Sequence, residues 1–182
     1  MVAPTHPKRR RRKKAAQTFK VIVAGVNGAG KTCFIESVSQ YTEWQDEQQR
    51  GWFFGRVRVD DSLILHFLEP PVSADYDFMW LRDVVMKVRA TGFLVLVDST
   101  RPATFGKFVS ILYTVSNIDR YTPVVVAATK QDHPQAWKPD DIRLGLGIRD
   151  IPVLPCSVTD PHSIREVVIE LLMQVHEHSA SG

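Results

Sequence analysis

Two short stretches carry residue types whose spacing suggests a single piece of chemistry. The first is GVNGAGKT, Gly25 to Thr32, a G-x-x-x-x-G-K-T pattern. Its glycines at 25, 28 and 30 free the backbone to fold into a concave nest of N–H groups around Asn27, Gly28, Ala29 and Gly30. Such a nest suits phosphate oxygens, with the positive end of the following helix behind it. Lys31 supplies a point charge for the outer two phosphates of a nucleotide, and Thr32 a hydroxyl that helps hold Mg²⁺. Cys33 continues into the first helical turn. A glycine-rich turn that merely packs a strand on a helix is the competing reading, and it leaves the Lys-Thr pair without a reason.

The second stretch is TKQD, Thr129 to Asp132. The Asp132 carboxylate can accept two hydrogen bonds from the ring N–H and exocyclic amine of guanine; adenine offers no such donor pair. A site built on those bonds leaves a carboxylate unpaired with the wrong base, a penalty reaching roughly 10⁴ in discrimination. The aliphatic stem of Lys130 can lie along the base. Read by itself, TKQD is also compatible with a solvated turn capped by Asp132 ahead of Pro134.

For these stretches to meet, each must sit at the carboxyl end of a strand. Short β-rich runs occur at 19–24, 52–59, 63–68, 93–97, 123–128 and 151–154, most of them apolar throughout, as strands covered on both faces are. Helical periodicity fills 31–41, 76–90, 104–118 and 162–176. The alternation predicts an α/β domain over residues 19–178 with helices on both faces of a six-stranded, mainly parallel sheet. Only Asp60 to Ser62 separate the second and third runs, too few for a parallel crossover, so they should form an antiparallel hairpin at one edge. The polar end after His176 is expected to fray.

Of the 182 residues, 23 are Lys or Arg and 20 Asp or Glu. Seven of the basic ones form KRRRRKK, Lys8 to Lys14, so the remainder is acidic, with 16 against 20. Residues 1–18 therefore read as a disordered basic arm and the body as no nucleic-acid binder. The arm is compatible with plain solvation, with a reversible contact to an anionic membrane surface, or, less readily, with nucleic acid. No apolar run approaches the roughly 20 residues that cross a bilayer. Two cysteines and a start without a signal layout make a reducing cytoplasm the expected compartment. Cys33 and Cys156 are expected to be buried as small apolar residues rather than redox-active. His66 reads as a packed or hairpin-face residue, and Asp98 to Thr100 as the turn and cap of the next helix.

With GVNGAGKT and TKQD about a hundred residues apart, the sequence resembles the Ras-like small GTPases, over residues 19 to 178. The resemblance implies a P-loop GTPase fold, GTP and GDP as ligands with Mg²⁺, and use as a molecular switch. It extends to IPVLPCSVT at 151–159, similar to the segment in which a Ser-Ala-Lys triplet supports the base. The matching positions are Ser157, Val158 and Thr159, and the Val158 N–H would meet the guanine carbonyl. Thr129 replaces the usual Asn of the base motif and still offers a hydroxyl to the ribose or the loop. Divergent switches, short loops and no lipidation signal point toward bacterial small GTPases typified by MglA and the Rup group. That subgroup implies a dimeric roadblock-domain regulator.

The departures from the family pattern concern hydrolysis. Its Asp-x-x-Gly and following Gln align with Glu69-Pro70-Pro71-Val72 and Ser73. Glu69 keeps a carboxylate that could reach Mg²⁺ through a water, whereas Ser73 cannot orient the attacking water as Gln does. Between Glu43 and Leu68 there is no Thr to close over the γ-phosphate, and Thr42 comes too early. Arg50 is the candidate cis cation there, with Gln48 and Gln49 as water-positioning candidates; a solvated loop cation is the competing reading for Arg50. Weak, activator-dependent GTP hydrolysis is thus expected, through Lys31, Arg50 and Ser73, with Thr32 and Glu69 at the metal. A non-hydrolysing guanine-nucleotide scaffold and an ATP-using phosphotransferase are the alternatives.

Overall fold

The computed structural model describes residues 15–45, 51–71 and 78–180. The chain alternates strand and helix as β1 (Gln17–Gly25), α1 (Lys31–Val38), β2 (Tyr41–Trp44), β3 (Phe53–Arg58), β4 (Leu63–Glu69), α2 (Phe78–Val88) and β5 (Gly92–Asp98). A single 3₁₀ turn, Pro102–Thr104, leads into α3 (Phe105–Ile118), then β6 (Val124–Thr129), α4 (Pro139–Gly145), β7 (Val153–Pro155) and α5 (Pro161–Ala180). The strands form one α/β mixed sheet in the order β2-β3-β4-β1-β5-β6-β7.

Seven strands replace the expected six, and the antiparallel strand is not at the edge. β3 pairs antiparallel with β4, as the short Asp60–Ser62 link demands, but also antiparallel with β2, which takes the edge position. The hairpin link is closed by the Asp60 carboxylate, whose Oδ1 accepts from the N–H groups of Ser62 and Leu63 at 2.6 and 2.9 Å. The helix expected over 31–41 stops at Val38, because Ser39 turns extended (φ −91°, ψ 145°). Gln40 then hands the chain to the sheet, its N–H donating to Arg56 O at 2.9 Å. β1 begins at Gln17, two residues inside the stretch assigned to the arm, and α5 runs to Ala180, so residues 177–180 are helical rather than frayed.

Alternation along the central strands sends successive side chains to two cores. On one face Val21, Val23, Leu94 and Leu96 pack under α1 and α5 through Phe34, Ile35, Val167 and Leu171. On the other, Ile22, Phe93, Val95 and Val97 meet α3 through Phe108, Ile111 and Val115, and α4 through Ile142. Every residue of β5 is buried. Among the described residues no helix is long and apolar enough to cross a membrane. The arm, including Lys8 to Lys14, lies outside the described residues.

Candidate functional site

The first half of the site is made by the turn from β1 into α1. Gly25 has φ +146°, and a Cβ there would stand 2.5 Å from the Leu96 carbonyl oxygen, so only glycine lets the chain leave the sheet this close to β5. Gly28 and Gly30 also have positive φ, and the Ala29 N–H closes a turn on Val26 O at 3.1 Å. Within α1 the Phe34 N–H bonds Gly30 O at 2.9 Å. Helix geometry therefore points the N–H groups of Lys31, Thr32 and Cys33 out of the helix end, together with its positive dipole.

Beside that end lies a buried ionic cluster. Glu69, at the end of β4, places one carboxylate oxygen 3.5 Å from Lys31 Nζ and accepts from the Thr32 hydroxyl on the other at 2.8 Å. Lys31 Nζ also lies 3.4 Å from Val26 O. Burial pulls the Lys31 ammonium below its ordinary pKa, with the Glu69 charge and hydrogen bond opposing that shift. Thr32 and Glu69 thus offer two oxygen ligands side by side. Among the described residues no group of three or more His, Cys, Asp or Glu gathers at one point, so a divalent cation held here would take its other ligands from phosphate oxygens and water.

The second half follows β6. The buried Thr129 hydroxyl lies 2.9 Å from Ala29 O and 3.0 Å from Val97 O, so it is committed to the loop side rather than to a ribose. Lys130 adopts the left-handed region (φ +62°), and its ammonium is held by the Asp98 carboxylate at 2.6 Å. Burial raises the Asp98 pKa, but the Lys130 ammonium and the Thr100 hydroxyl and N–H outweigh it, leaving the group below its ordinary value. Asp132 accepts from the Ser157 hydroxyl at 2.6 Å, and this bond foremost holds its carboxyl below the usual range. Ser157 is fixed in turn, with its N–H on Ser163 Oγ at 2.9 Å and its own hydroxyl 2.7 Å from Thr159 Oγ1.

These halves line one cleft of about 450 Å³. Asn27, Gly28, Ala29, Gly30, Lys31, Thr32 and Cys33 form its floor on one side with Glu69, and Thr129, Lys130, Asp132 and Val158 close the other. Ser157 stands behind Asp132 rather than in the wall. Arg50 and Ser73, with Gln48, Gln49 and Val72, lie outside the described residues. Cys33 does not fit the expectation of burial: it is exposed at the cleft, on the first turn of α1, where no other element among the described residues covers it. Cys156 is buried, and burial raises its thiol pKa to about 11. Two contributors were not assigned to the site from the sequence. Asp98 read as a turn residue, yet it anchors Lys130 across 32 positions. Ser163 carries no motif; its only sequence signal is its place in the first turn of α5 after Asp160-Pro161. His66 is half-buried with its ring edge-on to Phe54, and burial lowers its pKa, with Arg56 and Lys20 adding to the effect. No protein-family model matches this chain, and no curated protein matches it.

Proposed function

We propose that this chain is a small GTP-binding protein of the Ras-like P-loop type, acting as a molecular switch with slow intrinsic GTP hydrolysis. One observation supports this reading above the others: Lys31, Thr32 and Glu69 at one end and Asp132 at the other line a single cleft. Guanine would sit against Asp132, with the Val158 N–H toward its carbonyl and the Lys130 stem along its face. The diphosphate or triphosphate tail would lie in the glycine nest, where the N–H groups of Lys31 to Cys33 and the Lys31 ammonium meet its oxygens. Thr32 and Glu69 would hold Mg²⁺, which supplies charge neutralisation on the β- and γ-phosphates.

Hydrolysis in this site is in-line attack of water on the γ-phosphate. Lys31 stabilises charge on the phosphate oxygens, while Thr32 and Glu69 fix the cation's place. At the sequence position where the family pattern has a water-orienting Gln this chain has Ser73, so the rate without an activator is low. The decisive experiment is chromatography of the nucleotide that copurifies with the full chain, followed by competition of ATP against GTP. Recovery of GDP or GTP and preference for GTP support the reading; equal competition by ATP rejects the role of Asp132 and favours an ATP-using phosphotransferase.

A second reading, a guanine-nucleotide-binding scaffold that does not turn over, is favoured by Glu69-Pro70-Pro71. Consecutive prolines fix two φ angles where a switching segment would need freedom. Single-turnover hydrolysis, alone and with candidate activators of the roadblock type, separates the two.

A further inference from the structure

We propose that Arg101, which stands beside Gly28 just outside the cleft wall, is a phosphate-contacting residue, a further cation that approaches the loop from the end of β5. This rests on the nucleotide reading of the cleft but not on its preference for guanine. Arg101 Nη1 lies 3.1 Å from the point a Cβ on Gly28 would occupy, so the guanidinium covers the bare backbone of the loop. At Gly28 a side chain would strain the backbone (φ +81°) and crowd the guanidinium, which would have to give way slightly.

Its backbone is pinned while its side chain is not. The Arg101 N–H donates to Asp98 O at 3.1 Å, and Arg101 O accepts from the Thr104 N–H at 2.9 Å and the Thr104 hydroxyl at 2.7 Å. Pro102 fixes the next φ. The preceding turn is locked by Asp98 Oδ1, which accepts from the Thr100 N–H and hydroxyl at 3.0 and 2.6 Å. The guanidinium, in contrast, is exposed and has no hydrogen-bonding or ion-pair partner among the described residues.

Charge accounting gives this arginine its role. Glu69 offsets Lys31, and Asp98 offsets Lys130. The two lysines of the cleft are thus already compensated, and a Mg²⁺ held by Thr32 and Glu69 would offset only part of the negative charge that a diphosphate or triphosphate brings. Arg101 is the cation next to the loop whose charge nothing in the described structure offsets. Its planar fork can engage two phosphate oxygens through parallel N–H bonds of fixed geometry, whereas an ammonium acts as a point charge.

The test is calorimetric titration of the full-length wild type, Arg101→Ala and Arg101→Lys with GTP, ATP and inorganic pyrophosphate, all with Mg²⁺ at low salt. Arg101→Ala should weaken GTP and pyrophosphate by the same factor, roughly ten- to a hundredfold, with an unchanged thermal midpoint. Arg101→Lys should recover part of that loss. Wild-type affinity in Arg101→Ala overturns the proposal and leaves a solvated cation; so does a loss confined to GTP, which would place the effect at the base. If wild type shows no preference for GTP over ATP while Arg101→Ala still loses pyrophosphate, the guanine assignment fails and Arg101 stands. Failure of wild type to bind any of the three overturns both.

Discussion

At the glycine-loop end of the cleft the charged side chains are buried: Lys31 and Glu69 expose 3% and 5% of their side chains. At the opposite end, after β6, Lys130 exposes 42%, and Asp132 stands in solvent. The first end takes its shape from backbone conformation and from the core beneath α1. The second depends on relays of polar side chains, Asp98 to Lys130 and Ser163 to Ser157 to Asp132. A buried ionic cluster tolerates little change, because each lost partner leaves a charge without water or counter-ion. These relays start on buried groups, Asp98, Ser163 and Ser157, but end on the exposed Lys130 and Asp132, which water can serve in place of a lost partner, so breaking a relay costs less.

That contrast is open to direct attack. The largest effect is expected for Lys31→Ala, which removes the loop's cation and deprives Glu69 of its counter-charge. GTP affinity by calorimetry should fall by more than about 100-fold, and a variant retaining wild-type affinity would show that the phosphates are not held here. Asp132→Asn comes next. An amide cannot accept from both guanine donors but can donate to the 2-oxo group of xanthine, so GTP binding should weaken by about 10- to 100-fold while xanthosine triphosphate gains. An unaltered GTP preference would mean that the base lies elsewhere.

Thr129→Val probes the joint between the ends. It keeps the shape but removes the hydroxyl that serves Ala29 O and Val97 O, so denaturant unfolding should show a loss of about 1–3 kcal/mol. A neutral result would mean that the two ends are not fastened there.

Ser157→Ala should weaken GTP only about two- to tenfold, and its clearer signature is in pH. In the proposed reading Asp132 must be ionised to accept from guanine, and the Ser157 hydroxyl holds its pKa down. Preference for GTP over ATP is therefore present at neutral pH and lost as pH falls through the depressed value; without the hydroxyl, that loss should begin at higher pH. Identical profiles would detach Ser157 from Asp132. The gentlest probe is thiol labelling. Cys33 faces the cleft and Cys156 is buried, so bound nucleotide should slow maleimide reaction at Cys33 while Cys156 stays inert in either state.

Legibility from sequence followed the same division. Gly25 to Thr32 could be placed because a contiguous motif forces its own local geometry, and the apolar runs of β1, β5 and β6 mark strands covered on both faces. β2 was hidden because Phe34, Ile35, Val38 and Tyr41 continue a helical spacing, while the strand that interrupts it has only four residues. α4 was missed because PDDIRLG buries only Ile142 and so shows no periodicity. Asp98 belongs to the site through a partner 32 residues away, a relation that no local pattern carries. Arg101 is hidden for the same reason, since its nearness to Gly28 arises only when β5 lies next to β1.

Because β5 is paired on both sides and buried along its whole length, its amide hydrogens have no route to solvent short of global unfolding. Hydrogen exchange at Phe93 to Val97 should therefore clock the stability of the entire domain and respond to nucleotide only as total stability does. Any movement that distinguishes one nucleotide state from another would be recorded at the other flank, where β2 is a four-residue edge and its amides can trade deuterium by local opening.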